Sequence, residues 1–75
     1  MKYEDGDIVR AGDPVQLWNG EYGHVVLSVD TNEETMGYLL KDWKNLDSGV
    51  LIKTAGGVLI AFHGEAGEEF HKRKA

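Results

Sequence analysis

The sequence predicts an all-β fold: a small, partly open barrel of four to five strands with a short helical insertion between the second and third core strands. Three observations predict it. Apolar and polar residues alternate over 13–17 and over 24–30, the period of a half-buried strand. Two apolar runs, 49–54 and 58–62, flank Ala55-Gly56-Gly57, a three-residue hairpin connection. The chain has 75 residues, with ten glycines spaced as turns and a single proline, so a short sheet must curl to bury its own inner face.

A chain of this size exposes about 12,000 Å² unfolded and about 4,600 Å² folded, which leaves room for one core. We therefore expect a single domain over 1–75, with 1–7 and 73–75 frayed. There is no cysteine, so neither a disulfide nor a thiolate zinc site contributes, and a reducing, cytoplasmic setting fits. The acidic start lacks the apolar stretch of a signal peptide, and the longest apolar run, 58–62, is too short to span a bilayer, so no membrane association is expected.

The first strand, Asp13 to Leu17, turns Val15 and Leu17 to one face, and Pro14 suits a strand start or an edge. Residues 18–23 hold Asn19, Gly20 and Gly23, which tolerate positive φ, and read as a hairpin tip. The second strand, His24 to Asp30, alternates with Val25, Leu27 and Val29 inward. A loop follows from Asp30 to Tyr38, then about two turns of helix, on which Leu39, Trp43 and Leu46 form one stripe before the stop at Asp47-Ser48-Gly49.

In the hairpin of 49–62, a three-residue loop places Thr54 opposite Val58, Ile52 opposite Ile60 and Val50 opposite Phe62. The large groups then share a face and Lys53 points out; a slip of one residue would set Lys53 opposite Ile60. Leu51, Leu59 and Ala61 form a second apolar face, for which the helical stripe is the cover. A last strand from Glu68 to Lys72 would bring Phe70 inward.

Net charge is −5, unevenly distributed: 1–70 carry five basic and thirteen acidic side chains, and Lys72, Arg73 and Lys74 end the chain. Such a body repels phosphate backbones and favours basic protein partners. Ser28 and Ser48 lie in no nucleophile elbow, and the three histidines, His24, His63 and His71, have no metal-site spacing. The acidic run from Asp30 starts like a calcium loop but has Thr35 where glycine is needed and Lys41 where a bidentate glutamate is needed. No phosphate-binding glycine motif occurs, so no catalytic residue, cofactor or metal is assigned.

The segment Val15-Gln16-Leu17-Trp18-Asn19-Gly20-Glu21-Tyr22-Gly23-His24-Val25-Val26 resembles the strand, glycine turn, strand unit of KOW-type and other Src-homology-3-like (SH3-like) small barrels. KOW turns are usually rich in lysine, whereas this one carries Glu21. More loosely, Trp18, Gly20, Gly23, Trp43, Leu46, Gly49 and Gly57 are spaced as in small single-domain bacterial proteins. The resemblance implies an SH3-like barrel.

Tyrosine and tryptophan on loops bury large area with few rotors, which suits recognition. The expected contact residues are accordingly Trp18, Asn19, Glu21, Tyr22 and His24, with closure of a barrel end as the alternative role for Trp18. The function expected is a non-enzymatic protein-binding or adaptor module, of which an acidic inhibitor or immunity-type protein for a basic target is one form. The alternative is a KOW-like nucleic-acid-binding domain, which requires a basic surface.

Overall fold

A computed structural model describes residues 1–35, 37–64, 66–67 and 69–73. Six antiparallel strands make one sheet: β1 (Pro14–Leu17), β2 (Tyr22–Ser28), β3 (Glu33–Glu34), β4 (Val50–Thr54), β5 (Leu59–Phe62) and β6 (Phe70–Lys72). Their order is β5-β4-β2-β1-β6, with β3 added on β2. The all-β class is as expected, with six strands in place of four to five. The sheet is not hydrogen-bonded shut, and β5 and β6 are its two ends. Curling nevertheless brings the ends together on the inner side, where the rings of Phe62 and Phe70 lie 5.0 Å apart. The folded surface is 4742 Å², close to that expected for a chain of this length, so the curl leaves little of the inner face in water.

The hairpin of β4 and β5 has the expected register, Ile52 facing Ile60 and Val50 facing Phe62. Thr54 closes it, its hydroxyl accepting from the Val58 amide (3.1 Å) while its carbonyl accepts from the Gly57 amide. Gly49, just before β4, has φ 88°, and a Cβ there would stand 1.9 Å from the Phe62 carbonyl oxygen. Only glycine fits that turn into the hairpin.

Strand β2 departs from simple alternation. Its pairing with β4 runs Val25 to Ile52 and then Leu27 to Leu51, so the strand bulges at Val26. A bulge adds one residue and reverses the parity beyond it. Val25 therefore faces the inner core with Val15, Leu17, Val50, Ile52 and Phe70, whereas Leu27 faces the opposite side with Val26, Leu46 and Leu51. The expectation that Val25, Leu27 and Val29 share a face is corrected accordingly. Ser28, again on the inner side, is fully buried, its hydroxyl oxygen accepting from the Thr31 amide.

The cover over the second apolar cluster is present, but it is not two turns of α-helix. A single 3-10 turn, Leu40–Trp43, is followed by a further i to i+3 bond from the Leu46 amide to the Trp43 carbonyl. With three residues per turn, Leu40, Trp43 and Leu46 align, and Leu39 falls off the stripe and is exposed. The Glu34 carboxylate accepts from the Leu40 amide at the start of that turn. The cover reaches Leu51 but leaves Leu59 and Ala61 exposed.

The amino terminus, expected to fray, is tied into the core. Tyr3 is only 4% exposed and packs edge-on against Phe70, its hydroxyl donating to Asp13 Oδ2 at 2.7 Å. Lys2 bridges to Ile8, and the terminal ammonium meets Asp30 Oδ2 at 2.9 Å. Without this segment Phe70 would lose the Tyr3 ring that covers it, a loss of aromatic burial. At the other end, Phe70 is inward as expected, and Arg73, expected to fray, is held by its amide donating to the Pro14 carbonyl at 2.8 Å. Glu68, where the last strand was expected to start, and Lys74 and Ala75 of the expected frayed end lie outside the described residues.

Candidate functional site

Strand pairing decides which side chains meet on the outer face, because directly opposed residues of antiparallel strands share a side. Gln16 opposes both Tyr22 on β2 and His71 on β6. One step along, Pro14 opposes His24, and His24 opposes Lys53 on β4. The Pro14 carbonyl also holds the Arg73 amide. A transverse row thus runs Lys53, His24, Pro14, Arg73 across the sheet, with Tyr22 beside it.

Two hollows open on this face. The larger, of about 510 Å³, is lined by Tyr22, Gly23, His24, Val26, Lys53, Thr54, Ala55 and Arg73. The smaller, of about 410 Å³, is lined by Gln16, Tyr22, His71, Lys72 and Arg73. Tyr22 and Arg73 form the wall between them. The guanidinium carbon of Arg73 sits 4.4 Å from the centroid of the Tyr22 ring, a cation–π contact that holds both groups while half of the tyrosine stays exposed. Arg73 Nε is shielded from solvent and donates to no acceptor among the described residues. Lys53 lies 5.8 Å from the ring of Tyr38, and Lys72 lies 3.9 Å from Asp13.

Of the residues expected to make contact, Tyr22 and His24 line the larger hollow, while Trp18, Asn19 and Glu21 do not. Trp18 is 59% exposed but leaves the outer face, its ring lying edge-on to Phe62 at 6.2 Å where the two ends of the sheet approach. Its amide donates to the Glu69 carbonyl, which joins the turn to the approach of β6. Asn19 serves the turn, its side-chain oxygen accepting from the Glu21 amide at 3.0 Å. Glu21 reaches toward Gly56 in the neighbouring hairpin loop, where its carboxylate lies 3.2 Å from the position a Cβ would take.

The residues that sequence reading missed are Lys53, His71 and Arg73. Lys53 was placed outward and the end of the chain was recognised as basic, so the missing signal was the pairing of β6 with β1, which delivers Arg73 to the same face. No carboxylate lines either hollow among the described residues. The face is therefore cationic on an acidic chain.

Among the described residues that line these hollows, no serine, threonine or tyrosine hydroxyl makes a hydrogen bond to a histidine or carboxylate. Ser28 is buried on the other side of the sheet, and no group of three histidine, aspartate or glutamate side chains suited to a metal ion occurs among the described residues. No helix among the described residues is long and apolar enough to cross a membrane. What the arrangement offers is an aromatic wall, an apolar side chain at Val26 and cationic flanks, a combination suited to contacts by stacking and charge. Comparison with family models, with curated proteins and with solved structures gives no match to this chain.

Proposed function

We propose that this chain is a non-enzymatic protein-binding module built on an SH3-like curled sheet, and that its contact surface is the outer face around Tyr22. The SH3-like assignment draws on the short antiparallel strands, their strong curl and the glycine turn joining β1 to β2. The single observation that carries the binding assignment is the half-exposed Tyr22 ring, fixed by Arg73 between two hollows. A ring held in this way contributes contact area without losing rotamer freedom on binding, as interface anchors do. The inhibitor or immunity-type form of this reading rests on the acidity of the whole chain, and this face presents the opposite sign.

The KOW-like nucleic-acid reading has one observation in its favour, the placing of Lys53 and Arg73 around a hollow that an aromatic ring also lines. One pair of experiments separates the two readings. In a fluorescence-anisotropy titration at low salt, duplex and single-stranded oligonucleotides should bind more weakly than micromolar. In a selection from a displayed peptide library, the wild-type domain should enrich a sequence pattern that the Tyr22→Ala variant does not. Micromolar nucleic-acid binding with a steep salt dependence would replace the protein-binding reading by the KOW-like one.

A further inference from the structure

The outer face differs in charge from the rest of the molecule, and the difference specifies a ligand. Five basic side chains meet thirteen acidic ones in 1–70, yet Lys53 and Arg73 flank a hollow with no carboxylate among its described lining residues. Lys53 stands on β4 and Arg73 follows β6 beside Pro14, so three strand spacings, about 14 Å of backbone, separate them. The Lys53 ammonium rests near Tyr38 and the Arg73 guanidinium on Tyr22, and both side chains are long enough to turn in over His24, which lies between them in the row. Lys72, by contrast, is turned to Asp13.

We propose that this row binds a short acidic segment of a partner protein, with a carboxylate held between Lys53 and Arg73 over His24 and an apolar neighbour against Tyr22 and Val26. The proposal rests on the binding-module reading and names the chemistry of its partner. Three features support it. Arg73 makes no ion pair with a carboxylate among the described residues, and a ligand carboxylate supplies one in the fork geometry that guanidinium prefers. The hollow, about 510 Å³, accommodates one or two side chains. Val26 and Ala55 are among its lining residues, which favours a chain carrying apolar groups between its charges.

Charge distribution favours a peptide over a nucleic acid. A polynucleotide carries its charge continuously and would run from the two flanking cations onto a chain whose residues 1–70 carry thirteen acidic side chains against five basic ones. A peptide with one or two carboxylates confines its charge to the hollow, where the cations are.

The test is a two-dimensional NMR titration of the labelled full chain with a blocked hexapeptide alternating glutamate and leucine, and separately with its glutamine counterpart. The glutamate peptide should shift the amides of 22–26, 53–55 and 71–73, and the glutamine peptide should bind at least fivefold more weakly. Lys53→Gln, at an exposed position, should weaken the glutamate peptide by a similar factor with an unchanged spectrum elsewhere, and Arg73→Lys should do so through loss of the fork. Raising the salt should weaken binding further. Equal response to the two peptides, shifts that avoid these segments, or indifference to Lys53→Gln would overturn the proposal. So would tighter binding of an oligothymidylate at the same amides, which would also overturn the binding-module reading. If instead the acidic peptide fails while library selection still depends on Tyr22, the partner chemistry is wrong and the binding-module reading stands.

Discussion

Tyr3 and Asp13 show how a single pair stabilises this small core. The phenol is buried, and burial first, then the hydrogen bond to Asp13, pushes its ionisation well above the ordinary tyrosine value, so the hydroxyl remains a donor. Asp13 Oδ2 also accepts from the Arg10 amide at 3.0 Å. Tyr3→Phe should therefore cost about 1 kcal/mol in chemical denaturation, the value of one such bond, and Tyr3→Ala about 3 to 5 kcal/mol, because the ring against Phe70 is lost too. Glu33 sets the acid limb. Hydrogen bonds from Arg10, from the Thr31 hydroxyl and from the Ala11 amide hold its carboxyl down to about 2. A lowered folded-state value means stability that is present above the ordinary glutamate range and lost as pH falls toward 2. Asp30, lowered by the Gly49 amide and then by the terminal ammonium, acts in the same direction. The thermal midpoint should fall between pH 5 and pH 2, and Glu33→Gln should flatten that fall; an equal slope in both proteins would remove Glu33 from the account. Trp18 touches one ring and is mostly exposed, so Trp18→Ala should cost about 0.5 to 1.5 kcal/mol and leave the domain folded.

Between elements, backbone approach matters as much as side-chain burial. Ile52 is fully buried at the centre of β4, and Ile52→Ala should cost about 2 to 5 kcal/mol by denaturant unfolding. Gly23 on β2 is less conspicuous and as constrained. A Cβ there would lie 2.7 Å from the Lys53 carbonyl oxygen and 3.1 Å from Ile52 Cγ2, on groups fixed by the sheet. Gly23→Ala should therefore cost about 1 to 3 kcal/mol, the range of overpacking in a filled core. A smaller loss would mean that β2 and β4 separate more readily at this point than their pairing indicates. The bulge at Val26 belongs to the same account. It sends Leu27 to the cover and Val26 to the lining of the outer hollow, so one extra residue serves both the second apolar cluster and the candidate site.

Across the whole molecule, the strand order predicts that stability decreases from the middle of the sheet outward. Strands β2 and β4 have neighbours on both sides, whereas β5 and β6 have one each. Amide exchange should be slowest at the centre of β2 and β4 and fastest in β5 and β6, since opening an end strand breaks one ladder and an inner strand two. Uniform protection would point to a sheet closed in solution. Charge is likewise a property of the whole arrangement, with carboxylates spread over the body and cations brought to one face only when the end of the chain returns beside β1.

The sequence by itself determined the all-β class, the strands around Val15 and Val25, and the register of the hairpin of β4 and β5. Those depend on alternation and on a turn of fixed length, both local properties, and Ile52 facing Ile60 follows from them. It also marked Tyr22 and His24, since aromatic and polar residues beside a glycine turn are visible in one dimension. The tertiary structure alone decided the bulge at Val26, the burial of Tyr3, the departure of Trp18 to the rim beside Phe62 and the arrival of Arg73 at Tyr22. Each depends on contact between residues far apart in the chain, whose free energy is set by which surfaces the curled sheet leaves uncovered. No local pattern carries that information, because the pairing of β6 with β1 joins segments more than fifty residues apart.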